Sequence, residues 1–142
     1  MQFLEASIIR HYHNKSISQL IKLATKYFNN FIRQRGTSGG YFTCISCGRT
    51  QSISQLNAGH FYSAGAYAVT RFDEDNTWEQ CIRCNLHLHG NLTYYRKGLE
   101  QKIGLNRLRK LDEKIAMSKH VAFHWDRFSL IEIIETYKNK QS

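Results

Sequence analysis

Four cysteines carry the strongest chemical signal in this sequence. They fall as two C-x-x-C pairs, Cys44/Cys47 and Cys81/Cys84, with about 33 residues between the pairs. Each such turn can present two thiolates to one ion, and two turns can close a tetrahedral four-thiolate zinc site. Four sulfur ligands leave no open position for a substrate, so the pairs predict a structural Zn²⁺. The alternative is four buried free cysteines.

A second group of polar residues lies between these pairs and just after them. His60 follows a predicted strand, Asn76 lies in a predicted loop, and Asn85 comes directly after the last cysteine. His89 is four residues further on, so a helix would place Asn85 and His89 on one face. A neutral imidazole can deprotonate water at physiological pH, and a divalent ion can stabilise charge on a phosphate. The pattern favours phosphodiester hydrolysis, and a packing role is the alternative for His60.

The charge balance favours a polyanionic partner. The 142-residue chain carries 20 Lys and Arg against 11 Asp and Glu, a formal net charge of +9. Such a surplus suits nucleic acid first and an acidic membrane surface second, with solubility as the alternative explanation. No apolar run approaches the roughly 18 residues of a membrane span, and the N-terminal stretch lacks a signal-peptide pattern. We therefore expect a cytoplasmic protein that is not inserted in a membrane.

The hydrophobic pattern predicts the elements that position these residues. Residues 16–35 carry apolar side chains at helical spacing, with Ser16 and Gln19 placed as a capping box and Gly36 as the stop signal. The mixture of helices and short strands predicts an α+β fold. The other predicted elements are strands at 41–43 and 51–57 and helices at 84–89, 93–103 (ending near Gly104), 105–117 and 127–138.

The residues around the cysteines resemble a known family. The run CISCG…AGHFYS…TRFDEDNTWEQCIRCNLHLHGNLTYYRKGLEQKIG is similar to the NinG/Rap recombination proteins of lambda-like phages, over roughly residues 16–105. The resemblance implies a DNA endonuclease that cleaves branched recombination intermediates, such as Holliday junctions and D-loops. It also implies a zinc-stabilised, HNH-like ββα-metal core flanked by N-terminal and C-terminal helices. A catalytic Mg²⁺ or Mn²⁺ and a location in the cytoplasm of a bacterial host follow from the same resemblance.

The family pattern assigns roles residue by residue. His60 takes the position of the general base, Asn76 that of the central asparagine, and Asn85 that of the metal ligand on the helix. Many HNH enzymes carry an acidic or histidine ligand immediately before the base, where this chain has Gly59. We prefer His89 as the replacement, because Asn85 and His89 would face one way on a helix. The other candidates are Asp73, Asp75 and His87.

Basic and aromatic residues near these positions are expected to contact DNA through phosphate contacts and base stacking. The predicted DNA contacts are Arg71, Tyr95, Arg96 and Lys97, with core packing as the alternative for a tyrosine. A zinc-stabilised DNA-binding module without catalysis would account for the charge and the cysteines. It would leave His60, Asn76 and Asn85 unexplained. A partner-binding zinc adaptor would explain even less of the basic charge.

The sequence predicts three segments along the chain. Residues 1–40 form an N-terminal helical extension, 41–104 the zinc-bound core, and 105–142 a C-terminal helical segment. A four-way junction has two-fold symmetry, so a homodimer is the simplest source of paired incisions. The N-terminal helix and the apolar face of residues 128–137 are candidate dimer surfaces. The alternative is that both are ordinary packing helices.

Overall fold

The computed structural model describes residues 4–140, which contain four α-helices and two antiparallel two-stranded sheets. The helices are α1 (Ala6–His11), α2 (Ile17–Gly36), α3 (Leu92–Ser118) and α4 (Arg127–Lys138). The strands are β1 (Tyr41–Thr43) and β2 (Thr50–Ser52), which pair together, and β3 (Leu56–His60) and β4 (Thr77–Cys81), which form the second pair. The predicted α+β class is confirmed. No helix among the described residues has the length and hydropathy needed to cross a membrane.

The described chain divides into two compact units. One comprises residues 4–31 and 124–140, and the other comprises residues 32–123. The second unit contains both sheets and every predicted site residue. These boundaries differ from those of the three predicted segments, because the second half of α3 shares a core with the residues before it. Leu108 and Leu111 are buried in one cluster with Leu99.

The first unit is held by apolar side chains of α2 and α4. The start of α2 has the predicted capping box: the backbone N–H of Ser16 donates to Gln19 Oε1 at 2.8 Å, and the N–H of Gln19 donates to Ser16 Oγ at 3.1 Å. Leu130, Ile131, Ile134 and Tyr137 of α4 are buried. The Tyr137 ring meets the Phe28 ring edge-on, with centroids 5.0 Å apart. Because these four α4 side chains are buried, they are not exposed for contact with a second copy of the chain.

Helix α3 is interrupted where the sequence predicts a stop. Gly104 has φ 82° and ψ 163°, a conformation outside the helical region, and glycine reaches this left-handed region without steric cost. Leu92–Ser118 therefore consists of two helical segments that meet at Gly104. Together they supply five buried residues to the core of the second unit: Tyr95, Leu99, Ile103, Leu108 and Leu111.

Gly98 allows the first segment of α3 to approach the first cysteine turn. A Cβ at position 98 would lie 2.0 Å from the backbone carbonyl oxygen of Ile45. That carbonyl cannot easily move, because the backbone N–H of Ile45 donates to the carbonyl of Glu79 in β4 at 2.9 Å. Glycine costs a helix interior about 1 kcal/mol relative to alanine. The close approach of helix and turn is the physical reason for a glycine here.

We expect Gly98→Ala to destabilise the protein by about 2–3 kcal/mol, because steric overlap in a packed region outweighs the gain in helix propensity. Urea unfolding followed by circular dichroism, with zinc present throughout, measures the change. Gly65→Ala is the matched control, since a Cβ at position 65 meets nothing within 4 Å. Equal stability of the two variants would contradict the proposed reason for Gly98.

Candidate functional site

The four cysteine sulfurs converge on one point. Their Sγ atoms all lie within 4.8 Å of one another, and those of Cys47 and Cys81 are 3.9 Å apart. A tetrahedral zinc ion with Zn–S bonds of about 2.3 Å requires sulfurs about 3.8 Å apart, so the cluster fits the predicted structural Zn²⁺. Within residues 4–140, no other group of three or more His, Cys, Asp or Glu side chains is arranged to share an ion.

Hydrogen bonds from the turns are directed at these sulfurs. Cys44 Sγ accepts from the backbone N–H groups of Cys47 and Cys81 at 3.5 and 3.4 Å. Cys84 Sγ accepts from Asn91 Nδ2 at 3.4 Å. Burial raises the pKa of the Cys44 thiol to about 12. Burial also acts to raise the pKa of Cys81, but hydrogen bonds led by the Cys84 backbone lower it to about 7. Zinc binding would have to displace protons from these thiols.

His60 ends β3 and lines a cavity of about 330 Å³. Its Nε2 lies 2.8 Å from the carbonyl oxygen of Arg71. A carbonyl oxygen only accepts hydrogen bonds, so Nε2 carries the proton and Nδ1 is the basic nitrogen. Burial lowers the pKa of His60 below its ordinary value, and the charge of Arg71 adds to this, while the hydrogen bond to Arg71 opposes it. The imidazole is therefore neutral at pH 7, as a general base must be.

Asn85 and His89 line the same cavity as His60. The segment that carries them is not the regular helix that the sequence predicts. Arg83–His87 forms a π-helical turn, and His89 has a left-handed φ of 50°. The two side chains therefore reach one cavity through an irregular turn and not through α-helical i, i+4 spacing. The exposed His87, one of the alternative ligands, is not among the residues lining this cavity.

The two acidic candidates for the missing ligand form ion pairs with α3. Asp73 Oδ2 lies 2.6 Å from Lys114 Nζ. Both carboxylate oxygens of Asp75 accept from the Arg107 guanidinium, and the bond from Arg107 Nε is 3.2 Å long. Of the four candidate residues, His89 is the one that lines the cavity. The assignment of His89 and Asn85 as ligands of a catalytic ion stays a prediction.

The glycine before His60 is required by packing. A Cβ at position 59 would lie 2.0 Å from Gln80 Oε1 and 2.9 Å from Gln80 Cβ. Gln80 is fully buried, and its Nε2 donates to Ser46 Oγ at 2.9 Å and to the carbonyl of Gly90 at 2.7 Å. One side chain thus joins the first cysteine turn, β4 and the turn that carries His89. Gly59 cannot be replaced by an acidic ligand without displacing Gln80.

Asn76 braces the loop that follows His60. Its side chain is fully buried, and its Oδ1 accepts from the backbone N–H of Tyr62 at 2.8 Å. Its Nδ2 donates to the carbonyl oxygens of Tyr62 and Thr70 at 2.9 and 3.2 Å. These bonds define Asn76 as a positioning residue, because they join it to backbone and leave it no surface for a substrate. The predicted catalytic role of Asn76 is therefore indirect in this geometry.

Tyr95 is buried and not on a DNA-binding surface. Its side chain has no exposed surface, and its hydroxyl donates to the carbonyl oxygen of Gly59 at 2.6 Å. The prediction that Tyr95 contacts DNA is corrected by this burial, since a side chain that lies in the core cannot stack on a base. Tyr95 instead fixes the backbone immediately before His60.

The three predicted basic contacts have different surroundings. Arg96 is exposed, and its guanidinium forms two bonds to the carboxylate of Asp112, at 3.2 and 2.7 Å. Lys97 is exposed, with its Nζ 5.2 Å from the centroid of the Tyr94 ring. Arg71 is half-buried and supplies the carbonyl that holds His60. Whether these residues bind DNA stays a prediction.

The aromatic run after His60 supplies cavity residues that the sequence reasoning missed. Phe61, Tyr62 and Tyr67 line the cavity. The Tyr62 hydroxyl donates to the Asp112 carboxylate, and burial together with this carboxylate raises the pKa of Tyr62 to about 12. The sequence feature that could have indicated these cavity residues is the position of Phe61 and Tyr62 directly after His60. The role of Asp112 could not be predicted, because it depends on how α3 folds back.

The fold and the sulfur cluster define an α+β protein with a four-cysteine centre suited to a structural metal. The chain matches the family described as "Bacteriophage Lambda NinG protein" over residues 5–142. It belongs to the NinG family, which confirms the family resemblance seen in the sequence.

Relatives from several phages agree with this assignment. The chain is 36% identical to Protein ninG of Salmonella phage P22 over 132 residues, which is 93% of this chain and 61% of that protein. It is 37% identical to Protein ninG of Escherichia phage lambda over 117 residues, 82% of this chain and 53% of that protein. The chain thus spans a little over half the length of these relatives. No solved structure gives a significant match.

We expect the purified chain to carry about one zinc ion and Cys81→Ser to lose it. Because zinc-binding energy is also folding energy, this loss should lower the free energy of unfolding by more than about 4 kcal/mol. Elemental analysis and thermal unfolding measure the two effects. Ala122→Ser, at an exposed position, is the control for zinc or stability lost during purification. A Cys81→Ser chain with full stability and no zinc would contradict a structural role for the cluster.

Proposed function

We propose that the chain is a metal-dependent DNA endonuclease of the HNH type that cleaves branched recombination intermediates. One observation carries this proposal: His60, Asn85 and His89 come from separate parts of the sequence and line one cavity of about 330 Å³. In addition, His60 is held as a neutral base at the edge of that cavity. Membership of the phage NinG family, whose resemblance implies a role in DNA recombination, and the surplus of basic residues support the choice of DNA as substrate.

His60 is the proposed general base. The carbonyl of Arg71 fixes the imidazole ring through Nε2–H, so Nδ1 accepts a proton from water as that water attacks phosphorus. The bond between phosphorus and the leaving sugar oxygen then breaks. Tyr95 and Asn76 serve this step as positioning residues. They hold the backbone on the two sides of His60, at Gly59 and at Tyr62.

Asn85 and His89 are the proposed protein ligands of a catalytic Mg²⁺ or Mn²⁺. The donor set is sparse, because Asp73 and Asp75 are engaged by Lys114 and Arg107. A sparse set is compatible with Mg²⁺, which keeps several waters and often takes only one or two protein ligands together with substrate phosphates. When bound, such an ion would stabilise charge on the phosphate and on the leaving oxygen.

The N-terminus of α3 is suited to binding a phosphate beside this cavity. Leu92 lines the cavity and is the first residue of α3, and the first turn of that helix contains no acidic residue. The N-terminus of a helix favours anions through its free N–H groups and its dipole. The alternative function is a zinc-stabilised DNA-binding module. It accounts for the surplus of basic residues but gives no reason for a neutral histidine in the cavity. Paired incision of a junction is most simply made by two copies of the chain.

We expect His60→Ala to slow DNA cleavage by about 100-fold or more, the usual effect of removing a general base, without loss of DNA binding. Single-turnover cleavage of a four-way junction with Mg²⁺ or Mn²⁺, together with a mobility-shift assay, measures both quantities. His60→Gln should be equally inactive, although its Nε2 amide can still donate to the Arg71 carbonyl. The exposed His120→Ala is the matched control. No cleavage of any branched DNA by the native chain would favour the binding module.

We also expect cleavage to have an acidic limb with its midpoint below pH 6.5. Burial lowers the pKa of His60 from its ordinary value of 6.5, so the base stays neutral until the pH falls through this lowered value. Below the midpoint the rate should fall about tenfold per pH unit, as the imidazole becomes protonated. The pH dependence of kcat/KM, with zinc content verified at the lowest pH, measures this. A midpoint well above 6.5 would show that another group limits the rate.

A further inference from the structure

A second cavity, of about 460 Å³, lies directly beside the one that contains His60. Phe61 and Leu92 line both cavities, and the second is further lined by Thr93, Arg96, Lys97 and Glu100. Its volume is within the range of about 300–1,000 Å³ typical of small-molecule sites. The proposed reaction uses none of its four other residues, so the cavity needs a separate explanation.

The shared wall of the two cavities is apolar and held in place. The ring of Phe61 packs against the rings of Tyr62 and Tyr95, with centroids 4.9 and 5.3 Å away. Leu92 is a large apolar side chain, yet 48% of its surface is exposed. A fixed aromatic ring and an exposed leucine beside a recess are suited to a flat, partly apolar ligand. Aromatic side chains hold single nucleobases in this way.

The remaining lining groups are polar and complement a nucleotide. The Arg96 guanidinium is fixed by Asp112 and lies 5.9 Å from the centroid of the Phe61 ring. Lys97 supplies an exposed cation for a phosphate. The Thr93 hydroxyl can donate to or accept from the edge of a base, and the Glu100 carboxylate can accept from it.

We propose that this cavity binds the base of an unpaired nucleotide adjacent to the scissile phosphate. The inference rests on the proposed function, because it takes the cavity of His60 as the place of cleavage. A recess beside one ring admits a single unstacked base and not a base pair, whose faces are covered by its neighbours in a duplex. The chain would thus favour branch points that present an unpaired nucleotide, such as a D-loop or a fork, over a fully paired four-way junction, with no requirement for a particular DNA sequence.

An abasic scan of forked DNA tests this directly. Nucleotides around the branch are replaced one at a time by abasic sites, and binding is measured by fluorescence anisotropy in Ca²⁺, so that the test does not depend on cleavage. With the native chain, loss of one particular unpaired base should weaken binding about tenfold, the order expected for one stacking contact. Equal affinity at every position would overturn the proposal.

Two variants connect this effect to the cavity. Leu92→Ala and Phe61→Leu should bind the intact fork about tenfold more weakly and should no longer respond to the abasic site, because both changes remove the same contact. Leu105→Ala, at an exposed leucine of the same helix, should retain the native response. An undiminished response in Leu92→Ala would also overturn the proposal. The native chain could show weaker binding on loss of one unpaired base and still not cleave DNA in Mg²⁺ or Mn²⁺. That result would refute the proposed enzyme and leave the base site supported.

Discussion

The convergence of four sulfur atoms within 4.8 Å is the constraint on which the second unit depends. Its strands have only three or five residues, and short hairpins of this kind are marginally stable without additional support. The sulfur cluster joins the turn after β1 to the end of β4. The segment that carries Asn85 and His89 begins at this same cluster. The shape of the cavity therefore depends on the geometry around the four sulfur atoms.

The packing around Gly59 is a second constraint on the site. Gln80 occupies the space that a side chain at position 59 would need, and Tyr95 holds the Gly59 carbonyl. These contacts place His60 at the cavity, and they also exclude an acidic ligand next to it. No carboxylate lines this cavity among the described residues, and the two acidic candidates, Asp73 and Asp75, form ion pairs with α3. The same packing that positions His60 thus limits the ligands for the proposed catalytic ion.

Features set by local residue patterns could be predicted from the sequence. The capping box at Ser16 and the break at Gly104 follow from short-range rules, the four-cysteine cluster follows from the pairing of two C-x-x-C turns, and the structure has all three. Features set by long-range packing could not. The irregular turn before Asn91 depends on the hydrogen bond from the buried Gln80 side chain to the carbonyl oxygen of Gly90. The burial of Tyr95 depends on how α3 meets the sheets, and its sequence context does not distinguish it from the exposed Tyr94.

The central claim is that one short turn serves two metals, with a structural ion at the cysteines and a catalytic ion at the cavity. Crystals grown with Mn²⁺ and a DNA fork, measured by anomalous diffraction at the zinc and manganese absorption edges, test it most directly. The account predicts a zinc peak among the four sulfurs and a manganese peak in the cavity, in contact with His89 and Asn85. A cavity without manganese in the presence of bound DNA, or a manganese ion held by other side chains, would contradict it.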